Sequence, residues 1–157
     1  MVMQAERLEA AVARNGDRLL RAAAAIMGGK AEAEDAVQDA FVKLMERAPV
    51  FKDERHEAAW LLRVTINRCK DRLRSFAWSR SAPIPADYPA QNDEQRELLE
   101  VVRALPAKYR AVIHLYYYEG YATKEIAVMT GQKESAVREQ MTRARRMLRK
   151  YLEEDEA

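Results

Sequence analysis

One proline-rich segment divides this sequence into two stretches of helical pattern. Three of the five prolines lie at 79–92, in the stretch SRSAPIPADYPAQN, which has no apolar periodicity. Proline lacks a backbone donor and fixes φ, so such a stretch favours an extended linker over a packed element. We therefore predict one domain at residues 1–78, a flexible linker at 79–92 and a second domain at 93–157.

The two stretches on either side of this segment have the periodicity of amphipathic helices. Apolar residues recur about every 3.6 positions, and period-two alternation is nearly absent. The predicted helices lie at 6–27, 31–47 and 57–78 in the first domain, and near 93–104, from 106 to Gly120, at 123–130 and at 134–152 in the second. We therefore predict an all-α fold: two small helical domains joined by a flexible linker, the C-terminal one with a helix-turn-helix.

Composition narrows the classes of protein that remain. The single cysteine, Cys69, excludes an intramolecular disulfide framework and a cysteine-rich zinc site. The two histidines, His56 and His114, are too far apart to form one metal motif, and no apolar run is long enough to span a membrane. We expect a soluble cytoplasmic protein with no membrane insertion and no metal or cofactor.

The strongest local motif is a helix-turn-helix near the C-terminus. Ala127, Gly131 and Val137 have the spacing of this unit: a small residue under the crossing helix, a turn residue, and an anchor in the second helix. Glycine suits the left-handed conformation of the sharp turn. This unit presents its second helix to the major groove of DNA.

The predicted second helix is strongly basic, with six basic residues and one acidic residue from Arg138 to Lys150. Its positions facing away from the apolar stripe suit base edges and phosphates. A solvated basic face on an ordinary helix hairpin is the alternative, and the spacing of the turn favours DNA binding. The outward positions are Ser135, Arg138, Glu139, Thr142, Arg146 and Arg149.

A second basic segment lies on the third helix of the first domain, with six basic residues and one acidic residue between Arg63 and Arg80. An aromatic residue, an amide and arginines on one helix face can stack on an unpaired base and hydrogen-bond to it. For the tryptophan, packing in the core is the competing interpretation. The face comprises Trp60, Arg63, Asn67, Asp71 and Arg74.

An acidic group lies on the outer face of the second helix, around Val42. An enzyme could use such carboxylates as metal ligands or acid–base groups, but no histidine lies three or four residues away on the helix. They can be a solvated helix start that the helix dipole favours, or a docking face for a basic partner, and the residues alone leave both open. The group comprises Glu32, Glu34, Asp35, Gln38 and Asp39.

With these segments in this order, the chain resembles an extracytoplasmic-function (ECF) sigma factor of the bacterial sigma-70 family. Four blocks carry the resemblance: AEDAVQDAFVKLMER at 33–47, AWLLRVTINRCKDRLR at 59–74, LPAKYRAVIHLYYYEGYATKEIA at 105–127 and AVREQMTRARRML at 136–148. The chain departs from the family pattern at Gln132, where an apolar turn residue is common. Glu139 and Gln140 replace small and basic residues.

The resemblance implies roles for these segments. The second helix is expected to bind RNA polymerase through Glu34, Asp35, Gln38, Asp39 and Val42, with Phe41 packing inward. The third helix and the loop before it are expected to hold the −10 strand through Lys52, Trp60, Arg63, Asn67, Lys70, Asp71 and Arg74. Arg143 and Arg145 match basic positions of the −35 recognition helix and join the six outward residues above.

The expected function is that of a sigma factor, with no catalytic activity of its own. Its expected partners are core RNA polymerase, promoter DNA and, by the resemblance alone, an anti-sigma factor. A free-standing helix-turn-helix repressor is the alternative, and the second basic face counts against it. A helical enzyme that uses carboxylates is disfavoured because no nucleophile–base pair is present.

Overall fold

The computed structural model describes residues 2–79, 102 and 105–156, without the side chains of 74–76 and 151–156. Of the predicted linker at 79–92, Ser79 is the last residue of α3, and the rest lies outside the described residues. The predicted helix near 93–104 also lies outside them, except for Val102. The described elements are helices, which confirms the all-α prediction. They are α1 (Ala5–Met27), α2 (Lys30–Arg47), α3 (Glu54–Ser79), α4 (Ala107–Ile113) with a π-helical turn (His114–Tyr118), α5 (Thr123–Thr130) and α6 (Glu134–Glu156).

The helix boundaries follow local chemistry. Gly28 ends α1 in the left-handed conformation, with φ of 82°, and its N–H donates to the carbonyl of Ala24. Gly131, with φ of 67°, ends α5 in the same way. Both helices therefore end where the predicted ranges, 6–27 and 123–130, end. The sequence predicts that this helix starts at Pro106. In the structure Pro106 has an extended backbone and α4 starts one residue later, at Ala107.

The helix predicted to run from Pro106 to Gly120 changes form before its end. At its C-terminal end the Glu119 N–H donates to the carbonyl of His114 at 3.0 Å, the i to i+5 bond of a π-helical turn. The wider turn carries three consecutive tyrosines, Tyr116 to Tyr118, all exposed. A periodicity of 3.6 residues gives no warning of such a turn.

The N-terminal half, α1–α3, packs around apolar residues that recur at helical spacing on α2 and α3. On α2, Val37, Ala40 and Leu44 are buried, while Phe41 and Met45 are partly buried. On α3, the members at 58, 62, 66 and 69 are all buried. Cys69 is fully buried there, and burial raises the pKa of its thiol to about 12, so it behaves as a small apolar core residue.

A polar cluster also lies inside the N-terminal half. The carboxylate of Glu57 accepts hydrogen bonds from Nη2 of Arg14 at 2.9 Å and from the amide of Asn15 at 2.9 Å. Asn15 is 1% exposed and also donates to the carbonyl of Ala11. Because each buried polar group has a partner, the cluster ties α1 to the start of α3.

Arg110 of α4 joins the two halves. It is the largest fully buried side chain described, and its guanidinium donates to the carbonyls of Ala25 at 2.9 Å, Ile26 at 2.8 Å and Leu105. Burial lowers its pKa to about 10, which still leaves it charged at neutral pH. The cation therefore caps carbonyls at the negative end of the α1 dipole from a helix of the other half.

Other contacts between the halves also use arginines. Arg18 of α1 forms an ion pair with Glu119 at 3.3 Å, and Arg55 of α3 forms one with Glu125 of α5 at 3.3 Å. The Arg55 guanidinium also lies 4.6 Å from the ring centre of Tyr121. In the part of the chain that is described, the two halves therefore meet directly, with arginine chemistry along their boundary.

Candidate nucleic-acid interface

The helix-turn-helix is formed by α5 and α6. Ile126 and Val137 are fully buried, and Ala127 is 7% exposed under α6, as the spacing predicts. The carboxylate of Glu125 accepts a hydrogen bond from the Ala122 N–H at 3.1 Å and so holds the first turn of α5. The unit is thus built from the small and apolar residues that the sequence indicated.

All eight residues predicted to read the −35 element have exposed side chains on α6. The opposite face is closed, because Val137, Met141 and Ala144 are buried. A single amphipathic helix therefore presents the predicted DNA surface as one face, although its contacts with DNA remain a prediction. The exposed residues are Ser135, Arg138, Glu139, Thr142, Arg143, Arg145, Arg146 and Arg149.

Two of these arginines have carboxylate partners one turn away on the same helix. Arg138 pairs with Glu134 at 2.8 Å, and Arg143 pairs with Glu139 at 2.5 Å. Exposed pairs at this spacing contribute roughly 0.3–0.5 kcal/mol, so a phosphate can replace the carboxylate at little cost. Arg146 forms no ion pair with any described residue.

Gln132 and Gln140, two of the departures from the family pattern, are hydrogen-bonded to each other. The buried amide of Gln140 donates to Oε1 of Gln132, and Gln132 in turn donates to the hydroxyl of Thr130 at 2.9 Å. The Thr130 hydroxyl donates to the carbonyl of Ile126 at 2.8 Å. This chain of hydrogen bonds links the turn to α6. Sequence reasoning noted both glutamines but missed their pairing.

The face predicted to hold the −10 strand lies along α3. Lys52, Arg63, Asn67 and Asp71 are exposed, and Trp60 and Lys70 are partly buried; the side chain of Arg74 is outside the described set.

Trp60 packs against the core, and its ring centre lies 5.8 Å from that of Phe51 in the preceding loop. That loop is held by His56. Its ring Nδ1 accepts the Lys52 N–H at 3.0 Å, and its backbone N–H donates to Oδ1 of Asp53 at 2.8 Å. Both interpretations of Trp60 thus retain support, because its ring is packed on one side and partly open on the other.

The acidic group on α2 is connected to α3. Asp39 accepts hydrogen bonds from Arg68 at 2.6 Å and from Arg72 at 3.1 Å, and Asp35 lies 3.5 Å from Arg72. The hydrogen bond from Arg68 is the main cause of the lowered pKa of Asp39. Asp39 is therefore a structural acceptor as well as a candidate docking residue.

The remaining predicted docking residues, Glu34, Gln38 and Val42, are exposed on α2 near this pair. Among the residues that the structure describes, no three histidine, cysteine or acidic side chains are grouped so as to hold a metal ion. No described helix is long and apolar enough to cross a membrane.

The fold and these faces define an all-helical helix-turn-helix protein with a second basic helix. Residues 11–79 match the family model of sigma-70 region 2, and residues 95–148 match that of sigma-70 region 4. The chain belongs to the sigma-70 family, in its ECF group, as the sequence resemblance predicted.

Similar proteins support this assignment. The chain is 32% identical to a probable RNA polymerase sigma factor, RfaY, of Xanthomonas campestris, over 83% of this chain and 36% of that protein. It is 31% identical to the ECF sigma factor SigE of Mycolicibacterium smegmatis, over 90% and 60%. It is 32% identical to SigL of Mycobacterium tuberculosis, over 87% and 83%. The chain thus spans less than two thirds of the length of the first two relatives.

Two solved structures resemble the whole chain. CnrH, in complex with the cytosolic domain of CnrY, has a TM-score of 0.69 and 27% identity, covering 97% of this chain and 91% of that one. RpoE of Bartonella quintana, in complex with the anti-sigma factor NepR, has a TM-score of 0.67, 21% identity and coverage of 94% and 95%. The second likeness is one of fold alone.

Proposed function

We propose that this chain is a promoter-specificity subunit that docks on core RNA polymerase and has no catalytic activity of its own. In this role α6 reads −35 duplex, and α3 with its preceding loop captures an opened −10 strand. The observation that carries the proposal is the presence of exposed basic side chains on two separate faces: the arginines of α6 in one half, and Lys52 and Arg63 at α3 in the other. A cytoplasmic location follows from this role.

The two faces suit different forms of DNA. The polar face of α6 has the size and charge for a major groove, where early residues meet base edges and flanking arginines meet phosphates. On α3, the exposed amide of Asn67 and the exposed guanidinium of Arg63 can hydrogen-bond to an unstacked base. Capture of such a base shifts the duplex toward its open form without nucleotide hydrolysis.

Docking on polymerase is assigned to the exposed acidic and apolar residues of α2. Asp35 suits a test of this role because its side chain is 61% exposed, whereas Asp39 anchors α3. We expect Glu34→Lys with Asp35→Lys to weaken capture of core polymerase while leaving the circular dichroism spectrum unchanged. Undiminished capture would show that this face is only solvated.

An anti-sigma partner is part of the proposal. The similar structures of CnrH and RpoE hold CnrY and the anti-sigma factor NepR, respectively. The likeness of fold over nearly the whole chain supports a partner of the same class here. Expression of the chain with a candidate anti-sigma protein would test it through co-purification and loss of transcription.

Run-off transcription tests the central role. Core polymerase with this chain should start transcription at a cognate promoter, and core polymerase alone should not. A repressor would instead bind its site without polymerase and lower transcription. Transcripts that do not depend on the added chain would refute the proposal.

Matched promoter variants at fixed salt separate the two readers. Arg138→Ala should change the preference among −35 variants, because a base-edge contact gives roughly 1–3 kcal/mol of discrimination. Arg146→Ala, two turns on, should weaken all −35 sequences about equally. Asn67→Ala should reduce −10 selectivity and leave −35 preference intact. A shift in −35 preference with Asn67→Ala would remove α3 from the −10 role.

A further inference from the structure

The π-helical turn before the helix-turn-helix holds one arginine of the recognition helix. Nε of Arg145 donates to the hydroxyl of Tyr117 at 2.7 Å. The same guanidinium lies 5.6 Å from the ring centre of Tyr116 and 5.7 Å from that of Tyr117. The hydrogen bond that Arg145 donates to Tyr117 is the main cause of the raised pKa of Arg145. Two exposed aromatic rings thus fix the direction of one exposed cation.

This cluster presents hydrogen-bond donors to solvent. Because the Tyr117 oxygen accepts from Nε, its own O–H is directed elsewhere, and the side chain is 58% exposed. The two Nη groups of Arg145 carry four further N–H bonds, and no described carboxylate forms an ion pair with them. A fixed phenol O–H beside a fixed guanidinium is a donor set suited to an anion with several oxygens.

The position of the cluster indicates which anion. Arg138, Thr142, Arg145 and Arg149 follow one another at spacings of four, three and four, so they form one exposed strip along α6. Tyr117 extends this strip onto a second element. A helix in a major groove has phosphates along its flanks, and tyrosine and arginine are both common phosphate donors.

We propose that Tyr117 and Arg145 form a binding site for a backbone phosphate of duplex DNA, in which Tyr117 positions the guanidinium and adds its own donor. The site rests on the proposed use of α6 as a DNA reader. It adds a contact from the π-helical turn, which neither the sequence motifs nor the recognition helix supplies. Its contribution is to affinity and orientation, since a phosphate carries no base information.

The test measures binding of the full chain to a random-sequence duplex by fluorescence anisotropy across a salt series that begins at low salt. Arg145→Ala should weaken binding several-fold and lower the salt slope by about one. Lys43→Ala, an equal loss of charge on the exposed face of α2, should leave both nearly unchanged. A parent chain that fails to bind at low salt would overturn the site, as would an Arg145→Ala chain that matches the Lys43→Ala chain.

Tyrosine variants separate positioning from simple charge. Tyr117→Phe keeps the ring and loses the hydroxyl, so it should weaken binding by roughly half the factor seen for Arg145→Ala. Added to Arg145→Ala it should have little further effect, because both act through one phosphate. Tyr118→Phe is the matched control, since that ring stacks on His114 and not on Arg145. Equal effects of the two tyrosine variants would refute the positioning role.

A duplex with single neutral methylphosphonate links provides a second measurement, which uses polymerase with the parent chain and a cognate promoter. At one link flanking the −35 element, neutralisation should weaken the parent and leave Arg145→Ala unaffected. If every link weakens both chains equally, no phosphate is assigned to Arg145. Loss of run-off transcription would refute the promoter role, but the random-duplex measurement would still decide this site.

Discussion

The two halves of the molecule use their charged residues differently. In the N-terminal half, ion pairs join separate helices: Asp39 of α2 with Arg68 of α3, and Arg14 of α1 with Glu57 of α3. In the C-terminal half, the ion pairs of α6 lie within that one helix. Charge substitutions at these inter-helix pairs of α1–α3 therefore act first on folding, whereas those on α6 act first on binding.

The two halves also differ in the lengths of their helices. The helices α1, α2 and α3 have 23, 18 and 26 residues; in the C-terminal half α6 has 23, but α4 and α5 have only 7 and 8. Isolated helices as short as α4 and α5 are not stable in water, so the C-terminal half depends on tertiary contacts, including those with α1 and α3. Both tryptophans lie in α3 and all seven tyrosines follow residue 80, so tryptophan fluorescence reports on the N-terminal half alone.

The largest expected effect comes from Arg110→Ala. The substitution removes a fully buried side chain and leaves carbonyls of both halves without their donor, so we expect a loss of about 3 kcal/mol in the free energy of unfolding. In urea, the circular dichroism signal should begin to fall at a lower concentration than the tryptophan signal, because the C-terminal half unfolds first. The parent chain should give coincident curves, and coincident curves at the parent's midpoint in the variant would contradict the coupling.

Glu57→Ala should affect the other half. It removes the acceptor shared by Arg14 and the buried amide of Asn15, so we expect the free energy of unfolding to fall by about 2 kcal/mol. The tryptophan transition should move to lower urea. Glu57→Gln keeps the shape and one acceptor and should lose less. A shift of the circular dichroism transition with no shift of the tryptophan transition would contradict the assignment.

Gln132→Leu should lower the free energy of unfolding by about 1.5 kcal/mol, because it leaves the buried amide of Gln140 without its partner. The double variant Gln132→Leu with Gln140→Leu should recover most of the loss, since it replaces both polar groups with apolar ones. Thermal unfolding followed by circular dichroism measures the cycle. Additive losses would mean that the two glutamines act independently.

The smallest effect is expected for Asp39→Asn, about 0.5 kcal/mol at neutral pH, because the pair with Arg68 is half-exposed. The pKa of Asp39 is lowered from its ordinary value of 3.8, so its stabilising contribution is complete above that value and is lost as the pH falls through the lowered pKa. Urea midpoints at several pH values should converge for parent and variant in acid. A constant difference would exclude the carboxylate as the cause.

The sequence predicted the elements well because a helix repeats every 3.6 residues. That period alone places Val137, Met141 and Ala144 inside and Arg138 and Arg146 outside, so the recognition face is predictable from the sequence.

The 3.6-residue repeat does not predict which helices pack against each other. The pairs Asp39–Arg68 and Gln132–Gln140, and the contact of Arg110 with the end of α1, depend on the packing of helices or turns whose relative placement no local pattern encodes. The π-helical turn was also unforeseen, so the place of Tyr117 beside Arg145 could not be predicted.

The ion pairs across the boundary between the halves affect the electrostatic potential that a polyanion meets. Arg18 and Arg55 of the N-terminal half have their carboxylate partners, Glu119 and Glu125, on the C-terminal half. If the halves separate, the net charge of each half stays the same, but Arg18 and Arg55 are no longer neutralised by Glu119 and Glu125. The positive potential of the N-terminal half and the negative potential of the C-terminal half then rise at this boundary. The electrostatic surface of this chain is therefore a property of its conformation as well as of its sequence.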